Sequence, residues 1–189
     1  MKKSILTLLF ILPFLAFSQD KEITGVLGIS FGSSKAVVAE AMKAKGYTTS
    51  ELTKKDDLKY SKVKFGQFKD CFVFFHFTND KLFQSLIILD SELEGKTLDA
   101  FDLLNSELSK KYGKGEEYKI FKSPYKEGDG YEISAIKLGK ADYKTFWTGE
   151  KGIINSYINS DLLICIVYQD KLLVREAIAD KDKKNLSDY

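Results

Sequence analysis

Histidine and arginine are nearly absent: the chain holds one of each, His76 and Arg175. Arginine is the planar fork that grips phosphates and base edges, so a chain with a single one is poorly equipped to bind nucleic acid. A metal site needs three or four converging ligands. One histidine and two cysteines, Cys71 and Cys165, make no such cluster, so no metal and no cofactor are expected. Cys71 and His76 lie five apart in one strand-like run and point to opposite faces, which removes a local Cys–His dyad. A serine nucleophile would also depend on His76, and no G-x-S-x-G elbow is present. Two cysteines are far from a disulfide framework. Each sits inside an apolar run, where a pair formed in an oxidising compartment and two buried free thiols are both natural.

What is present begins with MKKSILTLLFILPFLAFSQD. Lys2 and Lys3 precede an almost unbroken apolar run, Ile5 to Phe17, and Ala16-Phe17-Ser18 sets small residues where a signal peptidase reads. This is the layout of a cleavable signal peptide cut before Gln19. The run is short for a bilayer span, which takes about 20 residues. No cysteine lies beside the cleavage point and no later stretch is long and apolar, so neither a lipid anchor nor a membrane span is expected. The mature chain is expected to be soluble and periplasmic or secreted. The leader takes two of the 29 basic residues and none of the 27 acidic ones, so what remains is neutral. Its lysines are interspersed with acids, as on an ordinary solvated surface.

After the turn-rich entry GISFG, Ser33 or Ser34 can cap a helix whose apolar face is Ala36, Val37, Val38, Ala41, Met42 and Ala44. Lys43 and Lys45 suit its negative end, and Gly46 ends it. Three strand-like runs follow, Leu58–Phe65, Cys71–Phe77 and Leu82–Leu89, with short connections that favour antiparallel neighbours. CFVFFHF is apolar on both faces, as a central strand would be. A second helix is predicted from Leu98 to Tyr112, again ending Lys-Lys before a glycine. Strands are predicted next at Tyr118–Lys122, Tyr131–Leu138, Tyr143–Thr148, Ile153–Ile158 and Leu162–Tyr168, separated by turn sequences such as EGDG, GKAD and GEKG. Asp170 onward predicts a short helix through Ile178 and a fraying charged tail. The class is α+β, helices packed on antiparallel sheet, as two tandem helix-plus-strands units. The divisions are 1–18 signal peptide, 19–95 first unit, 96–170 second unit, and 171–189 short helix and tail.

One stretch invites a nucleotide-binding reading. The strand-like Leu86–Leu89 leads to Gly95-Lys96-Thr97 and then a helix. A phosphate loop needs its first glycine where Asp90 stands, and Asp90, Glu92 and Glu94 would repel a triphosphate. The same residues read better as a capped helix start, with Thr97 as the cap and Asp99 and Asp102 near the positive end. Asp129-Gly130 is a turn rather than a calcium loop, since the alternating ligands and terminal glutamate are absent.

Aromatics carry more information. Phe72, Phe74 and His76 share one face of their strand, and Tyr143, Thr145 and Trp147 share one face of another. If helices cover one side of the sheet, the other side is free. Phe72, Phe74, His76, Tyr143 and Trp147 then form a possible aromatic binding face; as core, the same side chains would pack beneath the helices.

Several features coincide: GISFG before a short helix ending Ala-Lys-Gly-Tyr, the turn Phe77-Thr78-Asn79-Asp80-Lys81-Leu82, a second helix ending Lys-Lys-Tyr-Gly-Lys-Gly, Trp147, and a last strand ending Ile166-Val167-Tyr168-Gln169-Asp170. This pattern resembles exported bacterial helix-plus-sheet modules of the β-lactamase-inhibitor-protein-like type and of the related BamE (SmpA) type. The resemblance implies tandem helix-on-sheet units and a binding or scaffolding role. The expected function is therefore an exported, non-enzymatic binding protein that contacts another protein or an envelope component. The alternative is an exported hydrolase using His76 or dispersed carboxylates, of which a pair could cleave glycosides.

Overall fold

The computed structural model of the chain describes residues 22–49, 57–91 and 93–187. The signal-peptide reading of residues 1–18, with the cut before Gln19, lies outside these residues, and so does Glu92. The elements are β1 (Gly25–Val26), β2 (Ile29–Ser30), α1 (Lys35–Ala44), β3 (Asp57–Phe65), β4 (Phe68–Thr78), β5 (Lys81–Leu89), α2 (Thr97–Tyr112), β6 (Glu116–Phe121), α3 (Glu132–Lys137), β7 (Ala141–Thr148), β8 (Gly152–Ile158), β9 (Ile164–Asp170) and α4 (Lys171–Ser187). β1 and β2 form a small hairpin. The other seven strands form one sheet in the order β3-β4-β5-β9-β8-β7-β6, antiparallel throughout. The α+β class with helices on an antiparallel sheet holds. Each half of the chain contributes a meander that runs inward from one edge, and the halves join through their last strands, β5 and β9. One continuous core serves both.

The helix ends follow from local chemistry. Ser34 caps α1, its Oγ accepting from the Val37 amide at 3.4 Å. At the other end Tyr47 N–H donates to Met42 O and Gly46 N–H to Lys43 O, with Gly46 at φ +86°, a Schellman closure that needs glycine. Thr97 does not cap α2. A single 3₁₀ turn, Glu94–Lys96, runs straight into the helix, so the first free amides come earlier. Thr97 is the first helical residue, fully buried, and its Oγ1 is 2.8 Å from Ser91 Oγ.

Two other expectations are corrected. Tyr131–Leu138 is not a strand; Glu132–Lys137 is helix α3. The segment's apolar residues satisfy both a two-residue and a helical period, and its ends decide between them. Lys140 N–H donates to Ala135 O and Gly139 N–H to Ile136 O, with Gly139 at φ +63°, so the glycine expected in a hairpin turn closes a helix instead. The last helix does not stop at Ile178 but continues to Ser187. Asp170 Oδ1 accepts the Leu172 and Leu173 amides and starts it. Beyond Ile178, Asp180 ties it to the β4–β5 turn by accepting from Asn79 Nδ2 at 2.7 Å and Thr78 Oγ1 at 3.4 Å.

Alternation in each strand sends one set of side chains under the helices. Val73, Phe75, Ile87, Ile154, Ile164 and Ile166 are buried there with Val38 and Met42 of α1, Phe101, Leu104 and Leu108 of α2, and Ala135 and Ile136 of α3. Burying a large aliphatic or aromatic side chain contributes about 1.5–3 kcal/mol, and this layer is the main source of stability. A polar seam crosses it: Asn105 of α2 donates to Thr145 Oγ1 at 2.9 Å and accepts from Ser156 Oγ at 2.7 Å. Among the described residues no helix is long and apolar enough to cross a membrane.

Candidate functional site

The register assigns each sequence-singled residue to a face. Reading across the strands, Phe74 pairs with Leu86, Leu86 with Val167, Val167 with Asn155, and Asn155 with Phe146. The adjacent row runs Phe75, Ser85, Tyr168, Ile154, Trp147. Directly opposed residues share a face, so Trp147 belongs with Phe75 in the core and not with Phe74. Trp147 is 3 % exposed, and its indole N–H donates to Gly113 O at 3.0 Å. Tyr143 is buried on the same side, edge-on to the rings of Phe101 and Phe121. Burial, reinforced by the carboxylates of Glu132 and Glu127, pushes its hydroxyl pKa up to about 12. The five-residue binding face is therefore corrected: Tyr143 and Trp147 are core. They share a face with each other, but it is the one beneath the helices.

Phe72, Phe74 and His76 do lie together on the outer face. Phe72 is 43 % exposed, and Phe74 and His76 are half-buried. The register adds half-buried Leu86, Ile88, Val167, Tyr157 and Phe146, none of which the sequence singled out. The signal was present in LIIL at 86–89, where consecutive apolar residues mean that both faces of the strand are apolar. Lys59 of β3 stands over this surface, its Nζ 5.6 Å from the Phe72 ring centre and 5.3 Å from that of Phe74. Such cation–π contacts hold the ammonium at the rim while its stem covers apolar surface. In mid-face, Asn155 Oδ1 has no hydrogen-bond partner among the described residues.

A polar row bounds the face at one end. Asp57 Oδ1 is 2.8 Å from His76 Nδ1, His76 is opposite Gln84, and Gln169 Nε2 donates to Gln84 Oε1 at 3.3 Å. The Asp–His pair orients the imidazole as a general base would be oriented. The side chain opposite it on β5 is Gln84, which supplies no nucleophile. Among the described residues no group of three or more His, Cys, Asp or Glu side chains is placed to hold a metal ion.

The cysteines fall on opposite sides of the sheet. Cys71 points into the core, whereas Cys165 lies on the outer face between Ile88 and Tyr157. Both thiols are free and buried. With β5 between their strands and the sheet between their side chains, they cannot meet without breaking the fold. A separate narrow cleft lies between the β1–β2 hairpin and α2, lined by Val26, Leu27, Phe65, Leu104 and Tyr168, with Glu107 and Lys111 at its mouth.

No protein family, curated protein or solved structure matches the chain in comparisons of sequence and fold.

Proposed function

We propose that the protein is an exported, non-enzymatic binding or scaffolding protein whose contact surface is the outer face of the sheet around Phe72, Phe74, Leu86, Ile88 and Tyr157. One observation carries this reading. Large apolar side chains stand half-buried to exposed in register on one face, while their neighbours along β4, β5, β9, β8 and β7 are buried in the core on the opposite face. An apolar centre with a polar rim (here Lys59, Asp57, His76, Gln84 and Gln169) is the anatomy of a protein-binding patch. The resemblance to β-lactamase-inhibitor-protein-like and BamE-like modules points to the same role. The signal-peptide reading of residues 1–18, with a cut before Gln19, supports a periplasmic or extracellular setting, with another protein or an envelope component as the partner.

The test is capture of an envelope partner by the immobilised processed chain, compared with a Phe72→Glu, Phe74→Glu variant. The expected outcome is loss of the captured species at an unchanged unfolding midpoint. Capture that survives both substitutions overturns the assignment of the face. The hydrolase reading has the Asp57–His76 pair as its support. A hydrolytic activity abolished by His76→Ala, with the fold intact, would put it first.

A further inference from the structure

The two edges of the sheet are built differently. On β3 the register with β4 breaks between Tyr60 and Val63 and again between Val63 and Phe65, and Lys62 sits at φ +56°. Such bulges twist an edge strand and disrupt its free hydrogen-bonding row, a common defence against further pairing. β6 has no such bulge. It pairs with β7 without a break from Glu116–Phe146 to Phe121–Ala141. It is the last strand in the sheet order, so the backbone groups on its far side meet no other strand among the described residues. All of Glu116 to Ile120 is exposed, including Tyr118 at 44 % and Ile120 at 54 %. A shallow depression runs along Lys114, Gly115, Glu116, Glu117 and Tyr118. The connection that leaves β6 does not cap this edge, because Lys122 N–H donates back to Lys140 O on the β7 side.

We propose that β6 pairs with β6 of a second copy of this chain, antiparallel about a two-fold axis normal to the sheet, making one continuous sheet twice as wide. Charge complementarity selects both the occupant and the register. Such an axis pairs residues of the same face, so the centre must fall on a residue of β6. Centred on Glu117, two glutamates oppose each other. Centred on Lys119, two lysines do. Centred on Tyr118, Glu117 faces Lys119 of the partner subunit, and the symmetry makes this ion pair twice. Opposite charges directly across a strand pair stabilise it, and like charges destabilise it. On the outer face the two Tyr118 rings then meet at the axis, each already edge-on to its own Phe146 with ring centres 5.6 Å apart. Among the described residues Glu117 has no ion-pair partner within its own chain, and the contact from Lys119 Nζ to Glu127 is loose at 3.8 Å. Both charges are therefore available across the axis.

Sedimentation equilibrium of the processed chain over a wide concentration range tests this. A monomer–dimer equilibrium is expected. Glu117→Lys alone and Lys119→Glu alone each turn two attractive pairs into two repulsive ones and weaken the dimer at least about tenfold. The double exchange, Glu117→Lys with Lys119→Glu, rebuilds both pairs with reversed sign and returns the affinity to within about threefold of the parent. Lys119 also stands over the Tyr143 ring at 5.6 Å, so Glu117→Lys, which removes no contact of that kind, carries the single-variant test. A monomer at every concentration, association indifferent to Glu117→Lys, or a double exchange that fails to recover overturns the proposal. Phe72→Glu with Phe74→Glu lies at the other end of the sheet and leaves the dimer unchanged. Loss of partner capture and loss of self-pairing are thus separable results.

Discussion

β4 carries two phenylalanines three positions apart with opposite fates. Phe75 is fully buried beneath the helices, and Phe72 is 43 % exposed on the other side of the same strand. Residue type cannot distinguish them; parity does. The same alternation runs through β5, β9, β8 and β7. It separates the face that forms the core from the outer face, and substitutions on the two faces should differ in their cost.

The largest contrast is expected at these two positions. Phe75→Ala removes a ring from a close-packed layer, where it sits edge-on to Tyr60 at 5.9 Å, and should cost about 3–5 kcal/mol. Phe72→Ala should cost less than about 1 kcal/mol. Urea unfolding of both variants measures this directly. Comparable losses would mean that the outer face is structural, and the binding reading would lose its foundation.

Much of this arrangement was legible in the sequence. Phe72, Phe74 and His76 sharing a face followed from spacing alone, as did Tyr143 sharing a face with Trp147. Which pair of faces coincided was not legible. It depends on β5 pairing with β9, a contact between residues about eighty positions apart, and a register change of one residue there would exchange the two faces. The β3–β4–β5 meander was readable because short turns leave strands few partners. Helix α3 was misread because Tyr131, Ile133 and Ala135 alternate as in a strand while Ile133 and Ile136 are spaced as on a helix, and the closure at Gly139 selects the helix. The self-pairing edge had no sequence signal. EEYKIF reads as an ordinary strand, and its position at the end of the sheet is a property of topology.

A second, smaller contrast lies in the polar groups of the two faces. On the inner face Asn105 is, among the described residues, the one hydrogen-bond partner of the buried hydroxyls of both Thr145 and Ser156. Asn105→Leu strands both and should cost about 2–3 kcal/mol. Adding Thr145→Val and Ser156→Ala should recover part of that loss, because the orphaned hydroxyls are then gone. On the outer face Gln169→Leu breaks only the part-exposed bond to Gln84 at 3.3 Å and should cost no more than about 0.5 kcal/mol. Thermal or urea unfolding of the three proteins separates these outcomes, and an Asn105→Leu variant as mild as Gln169→Leu would show that the seam is dispensable.

The last contrast depends on pH and concerns the thiol on the buried face. Burial pushes the Cys71 thiol up to about 11, against an ordinary value of 9.0, despite backbone hydrogen bonds that act the other way. The folded state therefore holds this proton across a pH range in which the unfolded chain releases it. The stabilising contribution is whole below the unfolded value and is lost as pH rises through the folded one, so stability should fall between about pH 9 and 11. The hydroxyls of Tyr143 and Tyr157, each raised to about 12 chiefly by burial, extend the decline to higher pH. Cys71→Ala removes the thiol from this balance and leaves the tyrosines. Its unfolding free energy, lower than that of the parent at neutral pH for loss of packing, should decline less steeply with pH than the parent's between about 9 and 11. Parallel curves for the two proteins would mean that the Cys71 thiol titrates alike in the folded and unfolded chain, and that the inner face at β4 is more open to water than the core it adjoins.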